Sequence, residues 1–390
     1  MRILINASNL KAGGGLQVAD SFLSLLKGFS RHNFFVILSS QLEYLQVLLS
    51  SYPNVNIFVY NSNITIASVL RGKNECLDKL VDEYKIEIVF SIFGPPIWRP
   101  KVPHVVGFAR PQLIYRDSPF FCRMNWIKRY KSLVVEYIKL YNFKICSDTF
   151  IVETKDVEDR VTKLFADISV YTVTNNINQV FLDRNQWDRT IALAPFVGFT
   201  LLTISANHQH KNLQIIPEVI HQLREMVPNF SFRFVVTLKE EELPLPREYK
   251  SNVVFLGRVS VHQCPFLYEQ ADVMFLPTLL ECFSASYPEA MHMKCPILTS
   301  DLPFARGLCG EAAVYFNPLN PKDIAEKIIT IAHNPNQCLS LIARGEERIK
   351  SFDSFRSRAE KYIRIIEQAN YRAKNTFFKK EHYETDHTRS

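Results

Sequence analysis

Short apolar runs rich in β-branched and aromatic residues recur along the chain, and longer stretches of helical periodicity separate them. Before residue 100 the runs are MRILIN, NFFVILSS, NIFVY and EIVFSIF, and HVVGF and DTFIVE follow. Strands that alternate with helices predict βαβ units and parallel sheets. A second series, FTLLTIS, SFRFVV, NVVFLG, DVMFLP, CPILTS and AAVYFN, begins after the polar segment Asp183 to Thr190. The pattern predicts an α/β chain of two Rossmann-like, doubly wound domains, over residues 1–187 and 188–358, with DRNQWDR as the linker and the boundary near Asp188. Asn320 followed by Pro321 predicts a capped helix, and Asp353 and Ser354 are placed to cap a last long one. Residues 359–390 are expected to form a helix that crosses back to the N-terminal domain, with a polar tail frayed from about Thr376.

Length agrees with this division, because 390 residues suffice for two separate cores. An apolar share of 47% with 22% charged residues is that of a soluble globular protein. The net charge of +7 favours anionic partners without choosing among nucleotides, nucleic acid and phospholipid. Eight cysteines without a CxxC pair indicate neither a disulfide framework nor a zinc site. MRILIN reads directly as a strand, so the expected location is cytoplasmic. The longest apolar stretch, around Phe196 to Ile204, is far short of the roughly 20 residues that span a bilayer.

The sharpest chemical signal is DVMFLPTLLECFSASYPEAMHMKCPILTS, read as a strand, a loop holding Glu281, and a helix opening at Pro288 with Glu289 in its first turn. Ligands of open parallel sheets sit at the carboxyl ends of strands, where helix N-termini present unpaired amides to anions. Residues Cys282, Phe283 and Ser284, within the loop Cys282 to Tyr287, are therefore a candidate diphosphate cradle. Two carboxylates at its ends can accept hydrogen bonds from sugar hydroxyls. A second unit, FTLLTISANHQHKNLQII, places Lys211 at the mouth of a helix that follows the strand Phe199 to Ser205. Taken singly, Glu289 could do no more than complement a helix dipole, and Lys211 could be an ordinary surface lysine.

Glu281 and Glu289, after a strand and before PEAM, resemble the E-x7-E motif of family 4 retaining glycosyltransferases, glycosyl transferases group 1. The segments VVFLGRVSVHQCPFLYEQADVMFLP and GEAAVYFNPLNPKDIAEKI are similar to further family patterns, and the HKN around Lys211 is similar to bacterial O-antigen and capsule sugar transferases. The resemblance implies the GT-B fold, two such domains facing a central cleft, with the acceptor bound by the first and the nucleotide sugar by the second. It implies that Glu289 binds the ribose, that Glu281 positions the donor sugar and that Lys211 neutralises the diphosphate. Gly14 and Gly15, with Gly13, resemble the family's glycine-rich loop beside the active-site cleft. The implied reaction moves a hexosyl group from a nucleotide-diphosphate sugar to a lipid-linked saccharide, with no metal or other cofactor.

Three departures accompany the resemblance. ECFS stands where the family usually has EGFG, Ser205 and Ala206 stand where it has an arginine, and Ala109 and Arg110 occupy the place of a histidine near the donor sugar. His208 and His210 are candidate substitutes for the missing arginine. His104 lies within a strand and reads as a packing residue.

Residues 99–163 hold 13 Lys plus Arg against 7 Asp plus Glu. Within them Trp126, Tyr130, Leu133, Val134, Tyr137, Ile138 and Tyr141 share one helical face, with Lys128, Arg129, Lys131 and Lys139 around it. The expectation is that this stripe packs on the first-domain sheet. The alternative is that its basic rim, with Arg110 and Arg116, meets an anionic bilayer surface and the diphosphate of the acceptor, which would hold the protein on the inner face of the cytoplasmic membrane. A nucleotide-sugar epimerase and an inactive binding module of the same fold remain as rival functions. A nucleic-acid partner is not expected, and Gly13 to Gly15 do not form the GxGxxG of dinucleotide enzymes.

Overall fold

The computed structural model describes residues 1–11, 13–60 and 72–387, with side chains to Asn375. The chain forms two compact units. The first consists of Met1–Ile114, Trp126–Asn175 and the chain from Asp353 onward; the second consists of Tyr115–Asn125 and Asn176–Phe352. The units thus part at Asn175, earlier than the linker near Asp188, and the segment Tyr115–Asn125 leaves the first half of the sequence to join the second unit. Polarity at 183–190 marked exposure rather than a change of unit.

Unit 1 holds a seven-stranded sheet in the order β3-β2-β1-β4-β5-β6-β7, every neighbouring pair parallel. Its strands are β1 (Arg2–Ala7), β2 (Asn33–Leu38), β3 (Val55–Val59), β4 (Ile88–Ser91), β5 (His104–Gly107), β6 (Thr149–Val152) and β7 (Ser169–Thr172). Strands β4, β5 and β6 are buried along their whole length, which is why they read as unbroken apolar runs. Strand β7 lies at the edge and is not fully buried, so SVYT carries no such run. Ala359, Tyr362, Ile363 and Ile366 of the helix Phe355–His387 join the core beside β1. Ser354 accepts the Ser357 amide at its start (3.1 Å), and the helix runs on to His387 instead of fraying from about Thr376, although its side chains beyond Asn375 lie outside the described residues.

Close packing also fixes the end of β5. A Cβ on Gly107 would lie 1.8 Å from the Ile92 carbonyl oxygen, a backbone atom that cannot swing aside. Gly107→Ala is expected to cost about 3 kcal/mol or more, read as a lowered urea midpoint.

Unit 2 contains a six-stranded parallel sheet, ordered β10-β9-β8-β11-β12-β13. Here β8 is Phe199–Thr203, β9 Phe232–Val236, β10 Val253–Phe255, β11 Val273–Leu276, β12 Ile297–Ser300 and β13 Ala313–Phe316. Asn320 accepts the amides of Lys322 and Asp323 and caps the helix Pro321–Ala332, as the Asn-Pro pair predicts. The strand order reverses between β8 and β11, and in open parallel sheets ligands bind at the carboxyl ends of the strands at such a reversal.

The helix Trp126–Cys146 departs from expectation. Its aromatic stripe is exposed, Trp126 at 79%, Tyr130 at 68% and Tyr137 at 72%, while Glu136, Asn142, Phe143 and Cys146 are the residues turned inward. Glu136 is buried because two cations hold it: Arg110 Nη2 donates to its Oε1 at 2.5 Å and Lys139 Nζ at 2.6 Å. Among the described residues no helix is long and apolar enough to cross a membrane.

Candidate functional site

The loop after β8 carries Lys211 and the loop after β11 carries Glu281, so the two side chains come from the strands that flank the reversal of sheet order. Lys211 closes a short 3-10 turn, Gln209–Lys211, and Asn212 follows with φ 57°, a left-handed conformation that asparagine tolerates. The His210 carbonyl joins the two loops, accepting from the Leu279 amide at 2.7 Å and from the Thr278 hydroxyl at 3.1 Å. Lys211 Nζ then donates to Glu281 Oε1 at 2.5 Å, and both side chains are mostly buried. The Thr278 hydroxyl lies 3.0 Å from the same oxygen and His210 Nε2 lies 3.8 Å from it.

Glu289 sits in the helix Ser286–His292, which begins two residues before the expected Pro288. Proline is tolerated in this first turn because its missing N–H would have had no intrahelical partner. Glu289 is 7% exposed, and its Oε2 accepts from the Tyr268 hydroxyl at 3.3 Å. Burial pushes its carboxyl up to about 7, opposed by the Tyr268 bond and the charge of Lys211. A carboxylate held in so dry a place gains from any hydroxyl donors a ligand brings. Of the loop between the glutamates, Cys282 and Ser284 are buried and Phe283 packs edge-on to Phe352, ring centroids 6.2 Å apart.

His210 stacks on His208 with ring centroids 5.6 Å apart, and burial pushes it down to about 4. It is therefore neutral at pH 7 and does not supply the charge for which it was a candidate. His104 is a packing residue: its Nδ1 lies 2.6 Å from the Cys146 carbonyl, which can only accept, so Nε2 takes the Ser91 hydroxyl proton at 2.8 Å. The remaining candidates are divided between the units. Gly14, Gly15 and Arg110 lie in unit 1, where Gly13 with φ 71° leads into the helix Gly14–Leu23. Exposed Arg116 lies in unit 2 on the segment Tyr115–Asn125.

That segment is what sequence reasoning missed. The Ser118 hydroxyl donates to the Leu279 carbonyl at 2.6 Å, the Phe120 ring meets His210 edge-on at 6.5 Å, and Arg123 Nη1 donates to Asn212 Oδ1. It thus straps across both loops that carry Lys211 and Glu281. Ser118-Pro119 before two phenylalanines signals a buried turn, but nothing local says which unit buries it.

Residues 198–334 match the family described as Glycosyl transferases group 1. The chain is similar to the O-antigen chain mannosyltransferase RfbU of Salmonella typhimurium, with 22% identity over 349 residues that cover 86% of this chain and 92% of that protein. Among solved structures it resembles a glycosyltransferase from Rickettsia africae, with a TM-score of 0.67 at 13% identity over 94% of this chain and 98% of that one. It also resembles Anabaena Alr3699/HepE in complex with UDP and glucose, with a TM-score of 0.64 at 13% identity over 94% and 99%. These structural likenesses show the fold, two Rossmann-like units of the GT-B kind.

Proposed function

Because this chain is a glycosyltransferase of the GT-B fold, with a group 1 domain over residues 198–334, we propose that it moves a hexosyl group from a nucleotide-diphosphate sugar. The observation that carries this reading is the convergence of Lys211 and Glu281 where the second sheet reverses, with buried Glu289 in the first turn of the helix that follows. Glu289 accepts the ribose hydroxyls, Lys211 meets the diphosphate and Glu281 positions the donor sugar. UDP and glucose in the Anabaena protein are consistent with such a donor.

The transfer proceeds with retention. The acceptor hydroxyl attacks the anomeric carbon on the face that the diphosphate leaves, the bond from that carbon to the phosphate oxygen breaks, and the same oxygen takes the acceptor proton. The chain then needs no histidine base, in keeping with Ala109 and Arg110, and no metal or other cofactor; its own contribution is positioning and charge stabilisation of the leaving group. Incubation with labelled nucleotide sugars and a saccharide acceptor tests this: the expected product keeps the donor's anomeric configuration. An inverted product, or epimerised donor without acceptor, contradicts it.

The acceptor in this reading is a lipid-linked saccharide of a surface polysaccharide, met at the membrane by the helix Trp126–Cys146. Its exposed Trp126, Tyr130, Leu133 and Tyr137, beside Lys128, Arg129 and Lys131, have the composition of an in-plane interfacial helix. At low salt the protein should float with anionic vesicles and remain behind with neutral ones, and Trp126→Ala with Tyr137→Ala should reduce recovery severalfold. Equal recovery with both vesicle types would remove the membrane from this account.

A further inference from the structure

Lys211 alone is an incomplete answer to a diphosphate. Its charge is already matched by Glu281 at 2.5 Å, and His210 beside them is neutral, so these three groups together offer an entering dianion no net positive charge. The strap supplies what is lacking. Three of its residues are anchored to the same two loops: Ser118 on the Leu279 carbonyl, Phe120 on His210 and Arg123 on Asn212. Asn212 immediately follows Lys211, is fixed in the left-handed conformation, and donates from Nδ2 to the Pro318 carbonyl at 2.9 Å.

Arg123 is exposed, and its bond to Asn212 uses one guanidinium N–H on a neutral amide oxygen, so that contact leaves its charge uncompensated. A guanidinium has five N–H donors in a planar fork that matches two phosphate oxygens. The bond to Asn212 holds the group beside the residue that follows Lys211 and limits the side-chain entropy lost on binding a ligand.

We propose that Arg123, delivered from the N-terminal half of the sequence by the strap Tyr115–Asn125, is the second cation of the diphosphate site. Nucleotide recognition then depends on residues some ninety positions apart in the chain, and the charge balance becomes Lys211 and Arg123 against Glu281 alone. The inference rests on the diphosphate reading of Lys211.

Titration calorimetry with uridine and guanosine diphosphates and with the free nucleosides tests it on the full-length chain. Arg123→Ala is expected to weaken the preferred diphosphate about tenfold or more and the matching nucleoside less than about twofold, since a charge-assisted bond is lost only where there is phosphate. Arg123→Lys should recover part of that loss. Diphosphate binding unchanged in Arg123→Ala but lost in Lys211→Ala would overturn the role of Arg123 and leave the site intact. Equal losses for nucleoside and diphosphate would also overturn it, making Arg123 a brace for the Asn212 turn. Diphosphate binding unchanged in both variants would instead refute the diphosphate site itself.

Discussion

Lys211→Ala is expected to destabilise the protein by about 3 kcal/mol and to lower kcat/KM by about 10² to 10³, and Glu281→Gln added to it should restore most of the stability but none of the transfer. The reasoning starts from the pair's burial, with side-chain exposures of 15% and 11%. Taking the lysine away leaves a carboxylate in a dry site with the Thr278 hydroxyl at 3.0 Å and the His210 ring at 3.8 Å from the same oxygen, and no lysine charge to match it. Glutamine removes that stranded charge, so folding recovers. Transfer does not, because a leaving diphosphate still lacks its cation. Urea denaturation and initial-rate kinetics on the wild type and the two variants separate the two effects; a double variant no more stable than Lys211→Ala would mean that Glu281 is not held by this lysine.

For Glu289→Gln the expected stability change has a sign that depends on pH. The folded carboxyl titrates near 7 against 4.5 for the free group, because burial disfavours the anion. Between those values the native state holds a proton that the unfolded chain has released, so stability falls as pH rises, by about 3 kcal/mol across the window. The stabilisation is complete below pH 4.5 and gone above pH 7. Glutamine cannot ionise and removes the slope, so Glu289→Gln should be more stable than the wild type at pH 8 and close to it at pH 5. Its affinity for nucleotide should nevertheless fall about tenfold or more, because ribose hydroxyls are better satisfied by a carboxylate. In the wild type the same coupling means that nucleotide binding releases protons near pH 6.5, measurable as a buffer-dependent heat. A wild-type stability that does not decline from pH 5 to 8 would contradict the burial of this group.

These contrasts show where sequence is informative. Every strand of the second sheet was legible because each carries an apolar run, buried along its whole length in β9, β11 and β12, and Glu281, Glu289 and Lys211 were legible because each follows such a run. SVYT at the sheet edge, not fully buried, had no comparable pattern. The helix Trp126–Cys146 illustrates a different limit: a period of 3.6 reveals the stripe from Trp126 to Tyr141 but not the side to which it turns, and the inward face is set instead by Glu136 meeting Arg110 and by buried Asn142, Phe143 and Cys146. The strap Tyr115–Asn125 was beyond reach for the same reason, since its partners Leu279, His210 and Asn212 are distant in the chain.

Titration of uridine and guanosine diphosphates into the wild type, Glu289→Ala and Lys211→Ala addresses the central claim most directly, that a nucleotide-diphosphate sugar binds where the second sheet reverses. The account predicts that one diphosphate binds the wild type and that each substitution weakens it at least about tenfold. Wild-type affinity in both variants would contradict it.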